Sequence, residues 1–272
     1  MTKNIILPYK INLFSLGRER DMQFATVNTV NIHFQYLEAA KDKPVLVFVN
    51  SLGTDFRIWD AITSELSEAF SILRYDKRGH GLSDLGKTPY KMDDHIDDLE
   101  ALIEHLNIQN VIVCGLSVGG MIAQGIALKR PDIVRALVLC DTGHKIGTSQ
   151  MWQERIDALE TGGLSSMVDA VMERWFTAEF RHQDNPEFLG CRAMLERQSL
   201  AGYVSTCAAI RDADFTDQVP SIAMPTLCLV GDQDLATTPD LVRELCSLIP
   251  GAEFSEISNA AYTMRGATSS VL

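Results

Sequence analysis

The sequence predicts an α/β fold: a mostly parallel sheet with helices on both faces and a helical lid inserted late in the chain. Three observations carry that reading. Short continuous apolar runs recur along the chain, helical patterns separate them, and the alternation lapses between residues 147 and 219 before resuming. A continuous apolar run bounded by turn residues suits a strand buried on both faces. Strands alternating with helices imply βαβ crossovers and hence a parallel sheet.

The elements follow in order. Within 22–39, two alternating runs flank Asn28-Thr29, a hairpin signal without the usual glycine. The runs 45–50, 71–75, 111–114, 134–140 and 226–230 read as buried strands. Residues 93–106 place Ile96, Leu99, Leu102, Ile103 and Leu106 on one helical face, with Asp93 as the expected N-cap. Thr238 before Pro239, then Leu241, Val242, Leu245 and Leu248, reads as a cap, a first-turn proline and an apolar stripe. Between 147 and 219 the periodicity is helical, with Trp152, Trp175-Phe176 and Tyr203, and no convincing strand. The expected division is an N-terminal extension (1–21), a core (22–146 and 220–261), a helical lid (147–219) and an aberrant tail (262–272).

Composition narrows the function. A chain of 272 residues buries roughly three-quarters of its extended surface, enough for a core without staples. Hydrophobic residues at 46 % and charged ones at 22 % exclude disorder, collagen and coiled coil. The net charge of −12 argues against a phosphate-tracking surface, so no nucleic acid partner is expected. No apolar run approaches the ~18 residues of a membrane helix, so no membrane partner is expected either. The apolar stretch 4–16 is broken by Pro8, Lys10 and Asn12, and no cleavage site follows it. The six cysteines (114, 140, 191, 207, 228, 246) form no CxxC pair and no zinc spacing. Cys114, Cys140 and Cys228 sit in or beside apolar runs, as buried thiols do. The expectation is a metal-free protein of the reducing cytoplasm.

Gly115-Leu116-Ser117-Val118-Gly119 is a G-x-S-x-G motif between a strand and an apolar helix. That context makes Ser117 a candidate nucleophile on a strained strand-to-helix turn, where glycines leave room for the backbone. Such a serine needs an oxyanion hole. The N–H of Val118 is one expected donor, and the N–H of Leu52, in the loop after the 45–50 strand, is the other. Asp234 follows the 226–230 strand at the carboxyl edge where open α/β sheets place working residues. It is the expected triad acid, with Asp232 beside it as fallback and Asp141 as rival. Triad order then requires a histidine after the acid, yet the last one is His182. Of the six, only His144 lies near a strand end beside the lid and could substitute.

Together these residues resemble the 3-oxoadipate enol-lactonases of the α/β-hydrolase superfamily. The resemblance rests on Asn50-Ser-Leu-Gly-Thr-Asp-Phe-Arg-Ile-Trp-Asp60, Tyr75-Asp-Lys-Arg-Gly-His-Gly-Leu-Ser83 and Gly115-Leu-Ser-Val-Gly-Gly120. It continues through Tyr203 to Ala-Ile-Arg-Asp-Ala-Asp214 and Gly231-Asp-Gln-Asp-Leu-Ala-Thr-Thr-Pro239, and spans about 22–261. It implies an α/β-hydrolase fold and a cofactor-free hydrolase that opens a small anionic enol-lactone in aromatic catabolism. Ser117 would be its nucleophile and Asp234 its acid. Trp152, at the start of the lid, is expected either to wall the substrate pocket or to sit in the core of a helix bundle. Arg57 could pair with a substrate carboxylate, though a surface salt bridge is the more common fate of such a residue.

Both ends depart from the family's pattern. The family starts near Met22, and Gly17-Arg-Glu-Arg-Asp21 can be encoded by purine-rich codons, as a ribosome-binding site before Met22 would be. At the other end, family members continue Asn-Ala-Ala-His-Ile-Pro-Cys-Val-Glu-Gln-Pro, whereas this chain has Asn259-Ala-Ala-Tyr262-Thr-Met-Arg-Gly. One set of codons for the family's run from its histidine, CAT ATA CCA TGC GTG GAG CAA CCA, gives Tyr-Thr-Met-Arg-Gly-Ala-Thr when read from the third base. The expectation is a slipped reading frame that puts Tyr262 where the triad histidine belongs. A phenol is a poor base at pH 7. Two readings therefore stand: an impaired lactonase or small-ester hydrolase, and a non-catalytic binding protein or broken gene product.

Overall fold

The computed structural model describes residues 22–39 and 43–262. The expected extension at 1–21 and the tail beyond Tyr262 lie outside the described residues. Eight strands form one sheet: β1 (Gln23–Val27), β2 (Val30–Leu37), β3 (Val45–Val49), β4 (Ser71–Tyr75), β5 (Val111–Leu116), β6 (Val134–Cys140), β7 (Thr226–Gly231) and β8 (Glu253–Ile257). Their order across the sheet is β1-β2-β4-β3-β5-β6-β7-β8. Pairing is antiparallel for β1–β2 and β2–β4 and parallel from β4 to β8. The fold class is the one the alternation of runs and helices predicts.

The hairpin turns at Asn28 and Thr29, both at positive φ (47° and 66°). Two left-handed residues give the turn the twist that a two-residue hairpin requires, which is why it forms without glycine. β3 and β4 are buried at every position, as continuous apolar runs demand. β8 has no such run. It is an edge strand with Glu253 and Glu256 exposed, and its charge, which discourages edge-to-edge pairing, hides it from the sequence pattern.

The helices are α1 (Asp60–Leu66), α2 (Met92–His105), α3 (Val118–Lys129), α4 (Ser149–Gly162), α5 (Val168–Trp175), α6 (Pro186–Glu196), α7 (Leu200–Asp212) and α8 (Pro239–Leu248). Two caps differ from expectation. The N-cap of α2 is Lys91, not Asp93, and its N–H donates to the Asp94 carboxylate at 2.7 Å. Thr238 holds the N-cap position of α8 without a side-chain cap bond; Pro239 presets the φ of the first turn and lacks the N–H that has no intrahelical partner at that position. Helices α4 to α7 fill the interval between β6 and β7, where the sequence shows no strand. α4 packs along α7, with Trp152, Ile156 and Leu159 buried on α4 and Tyr203 and Cys207 on α7. No described helix is long and apolar enough to cross a membrane, and the six thiols are free.

Candidate active site

The turn from β5 into α3 is tight for a backbone reason. A Cβ on Gly115 would lie 2.2 Å from the Gly119 carbonyl oxygen, and one on Gly119 would lie 2.1 Å from that of Val49. Only glycines let the helix start this close behind the sheet. Ser117 between them sits at φ 56°, ψ −118°, a conformation that costs a non-glycine residue about 1–3 kcal/mol and is typical of functional strain. Its N–H donates to the Cys140 carbonyl at 3.0 Å, and its own carbonyl accepts from Gly120 N–H and Thr142 Oγ1. The turn is thus tied to β6, and Val118 opens α3 directly after it.

Ser117 opens into a cavity of about 250 Å³ whose lining includes Ser51, Leu52, Trp152, Arg155, Trp175 and Tyr262. The Leu52 loop is fixed from beneath. Asn50 donates to the Tyr75 carbonyl and accepts from Trp59 Nε1, both at 2.8 Å. Gly53 N–H donates to His80 Nε2 at 3.1 Å. Burial, then the Lys77 charge, holds His80 well below the ordinary histidine range, so its imidazole is a neutral acceptor here. Thr54 Oγ1 and Lys77 Nζ both donate to the Ser51 carbonyl.

Asp234 is buried after β7. Its carboxylate accepts from Ala236 N–H (2.6 Å), Thr237 N–H (3.0 Å) and Thr237 Oγ1 (2.9 Å). Burial pushes its pKa up, and these donors pull the other way, as does a hydrogen bond shared with Asp141. Asp141, the expected rival, is therefore the neighbour of Asp234 on the adjoining strand end, and it also accepts from Gly231 N–H at 3.1 Å. Asp232, the fallback, faces elsewhere: it accepts from Ala260 N–H at 3.1 Å.

That last contact positions Tyr262. Gln233 N–H donates to the Ala260 carbonyl at 2.8 Å, and Tyr262 N–H donates to that of Trp175 at 3.2 Å. A Cβ on Gly231 would fall 1.9 Å from the Ala261 oxygen, so the chain after β8 passes directly over the β7 end. The Tyr262 ring stacks on Trp175 (5.7 Å, 3°). Its hydroxyl lies 2.6 Å from Ser51 Oγ and also hydrogen-bonds Ser117. Burial pushes the phenol far above its ordinary pKa, more than the two serine hydroxyls offset. Tyr262 therefore touches the candidate nucleophile, but as a neutral phenol.

Trp152 walls the cavity and is also core: it is buried, and Nε1 donates to the Ile146 carbonyl at 2.6 Å. Arg57 is in a surface salt bridge and not in the Ser117 cavity, so its substrate-binding role is not supported. Its guanidinium closes on Asp55 two residues earlier (2.9 and 2.6 Å), because Asp55 caps the short turn that carries it. It lines a separate cavity of about 670 Å³ with His33, Phe56, Asp76, Cys191 and Met194. No histidine is among the residues lining the Ser117 cavity. His144 lies 3.9 Å from Glu244 instead.

Arg155 was missed in the sequence. It lies one helical turn after Trp152, and that i, i+3 spacing was the available signal. Its Nη2 donates to the Tyr203 hydroxyl and its plane covers the Trp152 and Tyr203 rings (5.4 and 5.6 Å). Its Nε is buried without a partner, and it forms no ion pair among the described residues. Arg174 lines the same cavity.

A family model described as the alpha/beta hydrolase fold matches residues 44–261. The chain belongs to the α/β-hydrolase family, and its relatives place it among the hydrolases. It is 35 % identical to 3-oxoadipate enol-lactonase 2 of Acinetobacter baylyi, over 80 % of this chain and 84 % of that one. The solved enol-lactonase of Burkholderia xenovorans superposes with a TM-score of 0.85 at 35 % identity, covering 88 % of this chain and 92 % of that chain. A solved hydrolase of Pseudomonas aeruginosa gives 0.85 at 30 % identity, covering 89 % and 92 %.

Proposed function

We propose that this protein opens a small anionic enol-lactone by acyl transfer through Ser117, at a rate limited by Tyr262. The observation that carries the reading is Ser117 at φ 56° on a turn that opens into a cavity lined by two arginines. The names of the relatives support the substrate class. Arg155, a cation without a carboxylate partner, anchors the substrate's carboxylate beside Trp152. Ser117 Oγ attacks the lactone carbonyl, and the N–H groups of Leu52 and Val118 receive the oxyanion. Collapse breaks the ring C–O bond, and the departing enolate oxygen takes up the proton that the Ser117 hydroxyl gives up. That leaving group departs with less proton donation than an alkoxide needs. Water then hydrolyses the acyl-enzyme and restores Ser117.

An imidazole between the acid and the serine would take the serine proton. Here a neutral phenol takes that place within electrostatic reach of Asp141 and Asp234, so Ser117 is not activated at neutral pH. The other reading, ligand binding without turnover, draws on the same phenol. The test is hydrolysis of 3-oxoadipate enol-lactone by the full chain and by Ser117→Ala. Slow turnover that Ser117→Ala abolishes is expected. Saturable lactone binding with no turnover in either protein would favour the binding reading, and equal turnover would remove Ser117 from the mechanism.

A further inference from the structure

Lys77 lies in the loop after β4 and is only 1 % exposed. Its ammonium donates to the Ser51 carbonyl, and it forms no ion pair among the described residues. A buried ammonium held by a neutral carbonyl is costly, so its effect on that carbonyl is the point of interest. Thr54 Oγ1 donates to the same oxygen at 3.0 Å, so both lone pairs are engaged. The Ser51 carbonyl and the Leu52 N–H belong to one peptide unit. That unit is trans, since the cis bond of the described chain is Thr88–Pro89. In a planar trans peptide the C=O and N–H point in opposite directions. With its carbonyl turned into the core onto Lys77, the peptide turns its N–H away, on the side where Ser51 and Leu52 line the Ser117 cavity.

We propose that Lys77 is a positioning residue of the oxyanion site: its ammonium polarises the Ser51–Leu52 peptide and thereby strengthens the Leu52 N–H as a donor to the developing oxyanion. The role rests on the acyl-transfer reading of Ser117. Hydrogen bonds in series polarise one another by roughly 10–30 % per bond, and a charged donor is about twice as strong as a neutral one. Lys77 thus acts through the peptide without touching substrate.

The charge is conditional. Burial brings the Lys77 pKa down to about 7, against the opposing pull of Asp76 and Asp55. The other titratable groups around it are His80 on its own loop and His95 on α2, and burial followed by the Lys77 charge holds both well below the ordinary histidine range. Arg78 beside it stays charged, its pKa raised by Asp98 and Asp94 against burial. Lys77 is therefore the group of this cluster that titrates near neutrality. The Leu52 donor is strongest below pH 7 and weakens above it.

The test uses the isotope-labelled full chain. The Leu52 amide resonance of the original protein should move with a midpoint near pH 7, and Lys77→Met should abolish that titration. In lactone hydrolysis at low pH, Lys77→Met should lower kcat about tenfold, less than loss of a whole oxyanion donor costs. KM should stay within about twofold, and the deficit should shrink at high pH, where the original protein has lost the ammonium. The melting temperature should hold or rise, since a buried charge is removed. A Leu52 amide with no midpoint near pH 7 in the original protein, or one that persists in Lys77→Met, overturns the proposal. A kcat loss that merely follows a fall in melting temperature also overturns it. If Ser117→Ala keeps full turnover, the acyl-transfer reading fails instead, while the amide titration still decides whether Lys77 polarises the peptide.

Discussion

The ends of β5 and β8 deliver Ser117 and Tyr262 to the same cavity, and they do so by different means. After β5 everything is local. Gly115 and Gly119 make room, the strained Ser117 follows from that geometry, and the next residue begins α3. After β8 nothing is local. Tyr262 reaches Ser117 because Asp232 and Gln233, on another strand end, clip the intervening chain, and because Trp175, at the end of α5, supplies a carbonyl and a stacking face. The first region keeps both position and chemistry. The second holds a position that touches the candidate nucleophile, with a side chain that is a poor base. Position and reactivity are therefore separable at this site. Backbone contacts hold the position, and a single side chain holds the reactivity.

The strongest way to break that contrast is Tyr262→His. The backbone at 262 is already held by Trp175, and the carboxyl pair lies within the electrostatic reach of the ring. An imidazole there should raise kcat about 10²–10⁴-fold, the usual contribution of a positioned base, and should introduce a rising limb in the pH–rate profile near the imidazole pKa. Unchanged turnover would mean that position 262 is not equivalent to a triad base despite its contact with Ser117.

Arg155→Ala sharpens the comparison from the substrate side. Loss of a hydrogen bond to a charged group costs about 1.5–3 kcal/mol, so KM for an anionic lactone should rise about 10–100-fold while kcat falls less. A neutral ester should be nearly indifferent to the change. If both substrates lose equally, Arg155 supports the lid by packing on Trp152 and Tyr203 and does not read charge.

The smallest effect is expected at the larger cavity. Arg57 is 65 % exposed and bound to Asp55, and exposed pairs contribute about 0–1 kcal/mol. Arg57→Ala should leave kcat and KM within about twofold and lower the melting point by no more than a few degrees. A large kinetic loss would tie the 670 Å³ cavity to the reaction after all.

The sequence by itself determined the parallel core strands, the hairpin and the Ser117 turn, because continuous apolar runs, alternation and paired glycines act over a few neighbouring residues. It also placed Asp234 at a strand end and showed that the last histidine, His182, precedes it, which needs only the order of residues along the chain. Tertiary structure decided the rest. β8 exists as an edge partner of β7, with no apolar run of its own to announce it. Asp141 lies beside Asp234 because their strands adjoin, and Arg57 is held by Asp55 on the surface. Arg155 faces the cavity because α4 lies across it. Lys77 meets the back of the Ser51–Leu52 peptide because the loops after β3 and β4 end side by side. Each of these depends on desolvation or on a contact between distant segments, and neither exists until the chain has folded.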